Sequence, residues 1–202
     1  MFYKIIRFIA SILIKLLFFV KFNNKKMLND SYAKGGCIVA ANHISLFDPV
    51  IIACALKRPI HYMAKAELFR KKFSAWFLKN LNAFPVDRSK ADINAVKTAL
   101  SLLKHNHILG IFPQGKRVAP NESQDAKLGA VQFAFKTNCP IIPVGIHTKG
   151  GKVGLFKRIT VSFGEPVFLE KIGISDSKPE SLHRASDYIM DKINILAENK
   201  NE

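Results

Sequence analysis

Asn42-His43 and, five residues after the histidine, Asp48 are the residues of this chain whose types and spacing suit proton transfer. An imidazole with an ordinary pKa of about 6.5 can accept a proton at neutral pH. A carboxylate on its far nitrogen fixes the tautomer and stabilises the imidazolium that forms. A tight loop followed by one helical turn brings a carboxylate at this spacing back beneath the ring. The chemistry offered is general-base catalysis. On spacing alone, a structural histidine held by a neighbouring carboxylate explains the pair equally well.

The surrounding elements favour a site. Gly35-Gly36 opens the apolar run Cys37-Ile38-Val39-Ala40-Ala41, a buried-strand pattern, so His43 falls in the loop at the carboxyl end of a strand. Ser45 is placed to cap the helix that carries Asp48. Further short apolar runs at His61 to Ala64, Ile108 to Phe112, Ile141 to Ile146 and Ile159 to Phe163 read as strands. Between them, Asp92 to Lys104 reads as a helix with Ile93, Val96, Leu100 and Leu103 on one face, and Leu128 to Lys136 as another. Ser175 to Pro179 is a polar break. Leu182, Ala185, Ile189, Ile193 and Leu196 then mark a closing amphipathic helix. This alternation predicts an α/β fold with a mixed, largely parallel sheet flanked by helices.

Residues 1 to 22 are densely apolar, with Lys4, Arg7, Ser11 and Lys15 recurring every three or four positions and therefore sharing one helix face. The longest charge-free run, Phe8 to Ile14, has seven residues, whereas a spanning helix wants about 20 apolar positions. The segment reads as an amphipathic helix lying in a membrane interface, its apolar side among acyl chains and its basic stripe among anionic headgroups. A buried core helix and a spanning anchor with tilted lysines are the competing readings. Lys15 and Lys21 interrupt the places where a secretory signal would need its apolar core and cleavage site. With the polar linker Asn23 to Lys34, residues 1–34 form a membrane-associating segment, and residues 35–202 form the catalytic domain.

With 202 residues the chain suits a single domain, and 49% hydrophobic against 23% charged residues excludes a disordered one. Lys and Arg outnumber acidic residues 31 to 15, and the resulting +16 draws the protein toward an anionic membrane, nucleic acid or an acidic partner. No nucleic-acid motif is present, and the phenylalanines lie inside apolar runs instead of alternating with basic residues. A nucleic-acid partner is therefore not expected. Cys37, Cys54 and Cys139 are an odd number at wide spacing in apolar surroundings, which fits free thiols in a reducing compartment. His61, His105, His107, His147 and His183 lack ligand spacing, so no metal is expected. The absence of a Gly-x-Ser-x-Gly elbow argues against a serine hydrolase.

The pattern Asn-His-x-x-x-x-Asp at Asn42, His43 and Asp48 resembles the first signature of the glycerolipid acyltransferase family, which includes the 1-acylglycerol-3-phosphate acyltransferases. Ala64 to Phe69 with Phe84-Pro85-Val86-Asp87-Arg88-Ser89 resembles the second block. Phe112-Pro113-Gln114-Gly115-Lys116-Arg117 resembles the third, and Ile142-Pro143-Val144 the fourth. The resemblance covers roughly residues 35 to 165. It implies the glycerol-3-phosphate acyltransferase fold, with His43 and Asp48 catalytic and Asn42, Arg88, Gln114, Gly115, Lys116 and Arg117 binding substrate. Asn42 is also a candidate for holding the loop. The implied reaction moves a fatty acyl chain from an acyl thioester to the free hydroxyl of 1-acylglycerol-3-phosphate, giving phosphatidic acid. The implied partners are a lysophospholipid acceptor and, as donor substrate in place of a cofactor, acyl-CoA or acyl carrier protein. The implied location is the cytoplasmic face of a membrane, with peripheral attachment. Physical chemistry agrees: a phosphate needs fixed cations, and the guanidinium forks of Arg88 and Arg117 can each hold two oxygens. Gly115 lets backbone approach a ligand closely.

The third block departs from the usual Phe-Pro-Glu-Gly-Thr-Arg. Gln114 replaces glutamate and Lys116 replaces threonine, making the site more positive by two charges. A neutral amide makes weaker hydrogen bonds to a hydroxyl than a carboxylate does. Another lysophospholipid or an aminolipid is therefore an alternative acceptor. Outside this class, a non-catalytic basic membrane-binding protein is the rival reading.

Overall fold

Runs of apolar residues become strands wherever both of their faces can be covered. The computed structural model describes residues 2–25, 35–89, 91–117, 126–151 and 153–198. The chain begins with α1 (Phe2–Leu17), β1 (Phe19–Asn23), β2 (Cys37–Ala41), α2 (Asp48–Ala55) and β3 (Ile60–Lys65). It continues with α3 (Lys72–Asn80), β4 (Ala83–Val86), α4 (Ile93–Lys104) and β5 (Ile108–Ile111), and closes with α5 (Gly129–Thr137), β6 (Ile141–Thr148), β7 (Arg158–Phe163) and α6 (Pro179–Glu198). The strands form one sheet in the order β1-β7-β6-β2-β5-β3-β4. Neighbours pair in parallel except β6 and β7, which are antiparallel. The mixed, largely parallel sheet expected from the sequence is present.

β2 is buried at all five positions because helices cover both faces of the sheet. Cys37, Val39 and Ala41 pack toward α1 and α2, while Ile38 and Ala40 pack toward α4, α5 and α6, as the strand's two-residue period demands. Full burial of an aliphatic side chain such as Ile38 or Ile142 contributes about 1.5–3 kcal/mol. The chain reverses its lateral direction at β2, with β5 on one side and β6 on the other. A crevice opens at the carboxyl ends of parallel strands at such a point. The edge strand β4 carries Pro85, which has no N–H to offer a stray strand. Cys37, Cys54 and Cys139 are free thiols, and burial pushes that of Cys37 up to about 11.

Several expectations need correction. The amino-terminal helix stops at Leu17, and Phe19–Asn23 pairs with β7 as an edge strand, so part of the expected leading segment belongs to the sheet. The proposed linker lies mostly outside the described residues, at 26–34. On α4 the buried face is Ala95, Ala99 and Leu103, and Ile93 is 65% exposed.

On α1 the middle of the polar stripe turns toward the protein while Lys4 and Lys15 at its ends stay exposed: the Arg7 guanidinium donates to the carbonyls of Leu56 and Lys57, at the carboxyl end of α2, where a cation complements the helix dipole. Ser11 donates to the Arg7 carbonyl at 2.7 Å, and the Tyr3 hydroxyl accepts the Ile60 amide at 3.3 Å. With those groups inward, the apolar face points out, and Phe8 and Leu16 are each 67% exposed. Among the described residues no helix is long and apolar enough to cross a membrane.

Candidate active site

The residue after β2 ties its loop down. The Asn42 side chain donates from Nδ2 to the Ile146 carbonyl at 2.9 Å, and its Oδ1 accepts the Ile146 amide at 2.7 Å. Expected among the substrate-binding residues, Asn42 sits as a buried strut between β2 and β6, in the loop-holding position.

Asp48 begins α2 and is completely buried. Pro49 follows in the first turn, where its missing N–H costs no helical bond. Asp48 Oδ2 accepts from His43 Nδ1 at 2.8 Å and from the amides of Ile44 and Ser45 at 2.7 Å each, while Oδ1 has no hydrogen-bond partner among the described residues. An unpaired buried carboxylate costs several kcal/mol. Here the donors gathered on Oδ2 and the positive end of α2 offset that cost. With Nδ1–H donating to the carboxylate, the tautomer is fixed and Nε2 is left with the lone pair. Ser45 does not cap α2: its hydroxyl oxygen accepts the Phe47 amide at 3.2 Å, and Phe47 is the capping residue.

The imidazole is also held by its faces. Phe112 stacks on it with ring centroids 4.1 Å apart, and Tyr62 lies parallel to Phe112 at 5.9 Å. Tyr62 pairs across the sheet with Gly110, and a Cβ on Gly110 would meet the tyrosine ring at 2.1 Å. Glycine is required there by close approach. The Tyr62 hydroxyl donates to the Pro49 carbonyl at 3.2 Å, and burial raises its pKa well above the ordinary value, so it stays a donor. Tyr62 therefore connects the aromatic stack to α2.

The third motif block forms a tight turn after β5. The Gly115 amide donates to the Phe112 carbonyl at 2.9 Å, and Gly115 has φ +70°, where a Cβ would also press on Lys127. Gln114 Oε1 accepts the His43 backbone amide at 2.8 Å. The Arg88 guanidinium donates to the Gly115 carbonyl, joining the second block to the third. Behind Arg88, the Asp92 carboxylate accepts the amides of Asp87 at 2.9 Å and Ala95 at 3.0 Å. The Ala95 bond caps α4, and the two together hold the Asp92 carboxyl below its usual pKa.

A cleft of about 1310 Å³ joins these parts. His43, Arg88, Gly115, Lys116, Arg117 and Lys127 form its polar wall; Tyr3, Ile6, Ala10, Val50, Phe77 and Leu81 belong to an apolar wall made by α1, α2 and α3. Asn42, Asp48 and Gln114 do not line it and act from behind. The arrangement offers a basic nitrogen, a cationic bay for phosphate and a greasy channel for hydrocarbon. Tyr62, Phe112 and Asp92 were not singled out as site residues from the sequence. An aromatic opposite a glycine is a recognisable signal only once the β3–β5 register is known.

Comparison with known proteins gives one consistent picture. The family model described as Acyltransferase matches residues 19–147. A 1-acyl-sn-glycerol-3-phosphate acyltransferase of Bacillus subtilis is 37% identical over 151 residues, which are 73% of this chain and 73% of that protein. One from Streptococcus pneumoniae is 34% identical over 140 residues, 67% of this chain but 51% of that protein, so the chain spans about half that relative's length. The crystal structure of the 1-acyl-sn-glycerophosphate acyltransferase of Thermotoga maritima superposes with a TM-score of 0.75, covering 99% of this chain and 80% of that one at 23% identity. That likeness is one of fold.

Proposed function

The chain belongs to the acyltransferase family, and from that premise we propose that it acylates the free hydroxyl of 1-acylglycerol-3-phosphate, giving phosphatidic acid at a membrane surface. The observation that carries the reading is the 2.8 Å His43–Asp48 contact beside a cleft that also holds Arg88, Lys116 and Arg117. In this mechanism the acceptor phosphate sits among those cations and its hydroxyl points at His43 Nε2. The imidazole removes the hydroxyl proton as the oxygen attacks the thioester carbonyl. Asp48 stabilises the imidazolium, and collapse of the tetrahedral intermediate expels the thiolate, which recovers the proton from Nε2. No covalent acyl-enzyme is needed. The donor is an acyl thioester of coenzyme A or of acyl carrier protein, both anionic and suited to a basic surface.

A positioned base supplies about 10²- to 10⁴-fold, with the remainder coming from orientation and electrostatics. His43→Ala is accordingly expected to lower acyl transfer to lysophosphatidate by about 10²- to 10⁴-fold, measured with radiolabelled acyl-CoA and acyl carrier protein in parallel. Undiminished turnover in the variant would remove the mechanism. A panel of other lysophospholipids in the same assay identifies the acceptor, the point on which Gln114 and Lys116 bear.

A further inference from the structure

Three parts of the chain that adjoin one another leave large apolar side chains uncovered. The first is the outer face of α1. The second is α3, where Phe73 is 75% and Trp76 52% exposed; the third is the turn before β7, where Leu155 is 60% and Phe156 66% exposed. They adjoin along α1. At its amino end the Phe2 ring meets Trp76 at 5.1 Å, and Trp76 meets Phe73 at 6.1 Å. At its carboxyl end the Phe156 amide donates to the Leu17 carbonyl at 2.7 Å. Phe156 has φ +60°, a left-handed conformation rarely taken by a bulky aromatic, so the turn holds this ring outward against its backbone preference.

We propose, building on the lipid-transfer reading, that α3 and the Leu155–Phe156 turn enter an anionic bilayer together with α1, which lies parallel to the membrane plane. The occupant is lipid for two reasons. Exposed lysines stand beside every apolar part: Lys4 and Lys15 on α1, Lys71 and Lys72 before Phe73, and Lys157 after Phe156. Aromatic and aliphatic groups edged by cations are the composition of an interfacial surface, and the net charge of +16 adds attraction to anionic lipid. The same helix also serves the cleft, since Tyr3, Ile6 and Ala10 on its inner face line the apolar wall. Hydrocarbon on one side of α1 is thus a single helix thickness from hydrocarbon on the other. The parallel orientation follows from spacing. The 16 residues of α1 extend about 24 Å, and the two accessory contacts sit at opposite ends of that length. A helix standing upright would immerse one of them and leave the other in water.

Trp76 is the chain's single tryptophan, so the unaltered protein reports on α3. With vesicles of phosphatidylglycerol and phosphatidylcholine in equal parts, Trp76 emission is expected to move to shorter wavelength. Lipids brominated near the headgroup should quench it more than lipids brominated near the chain ends. Trp76→Phe combined with Phe156→Trp carries the probe to the other end of α1 and should report the same shallow depth. Replacing Leu155 and Phe156 by Ser should weaken vesicle binding about tenfold or more. Failure to bind, binding with Trp76 emission unchanged, or clearly different depths at the two ends overturns the proposal. So does a Trp76 already shielded before vesicles are added in a protein sedimenting as a dimer, since a second copy would then cover the surface. The readout is independent of catalysis: quenching without acyl transfer sinks the proposed reaction alone, and transfer without quenching sinks this surface alone.

Discussion

At His43, the imidazole is held by its surroundings: Asp48 at Nδ1, Phe112 against one face and Gln114 on the backbone amide. In the proposed mechanism each contact removes a freedom the ring would otherwise have to lose in the transition state. The glutamine at a position where glutamate is usual is explained by this geometry, because the bond to the His43 amide needs an acceptor oxygen, which both side chains provide. Gln114→Leu should leave that amide unpaired and lower kcat about tenfold with little effect on the acceptor KM. Gln114→Glu should restore the acceptor and remain within a few-fold of wild type. Steady-state kinetics on lysophosphatidate checks both, and a change of preferred acceptor in Gln114→Glu would instead give the residue a direct role in binding.

Between elements, the contact of β3 with β5 carries the site. Gly110→Ala would drive a methyl group into the Tyr62 ring, disturbing the stack that ends at His43. Overpacking of this kind costs about 1–3 kcal/mol. A lower Tm should therefore accompany a loss of activity, read by thermal unfolding and assay of the same preparation. At the opposite end of those strands His61 packs edge-on against His107 at 4.9 Å and contacts the Ile108 carbonyl at 3.3 Å. Burial and, after it, the neighbouring His107 lower the His61 pKa. The unfolded chain then binds more protons than the folded one between the folded pKa and the ordinary value of about 6.5, so acidification through that window destabilises the fold. His61→Gln should flatten the fall in Tm as the pH drops below about 6.5. An unchanged slope would assign the acid sensitivity to other groups.

Over the whole molecule, the same helix that closes the cleft presents its apolar face outward, so removing it would test too much at once. Ile14 is in the core and Arg7 holds the end of α2. Phe8 and Leu16, each 67% exposed, are the better probes. Phe8→Ser with Leu16→Ser should weaken binding to anionic vesicles about tenfold or more while leaving Tm unchanged. Co-sedimentation and thermal unfolding measure the two quantities.

The sequence by itself determined the strands whose apolar runs are buried on both sides, the helices with a 3.6-residue period, and the ordered motif blocks that carry His43, Asp48, Arg88 and Arg117. These are local patterns, and hydrophobic periodicity and motif spacing are local information. Tertiary structure alone decided that β1 completes the sheet, because a five-residue strand exists only when an edge is available to pair with it. It decided that Asn42 and Gln114 serve the loop from behind the cleft wall, and that Tyr62 must face a glycine, since each fact depends on the register of distant strands. It also decided which way α1 faces. Lys4 and Lys15 of the basic stripe stay exposed, but Arg7 finds the carboxyl end of α2, a partner that no pattern within α1 encodes.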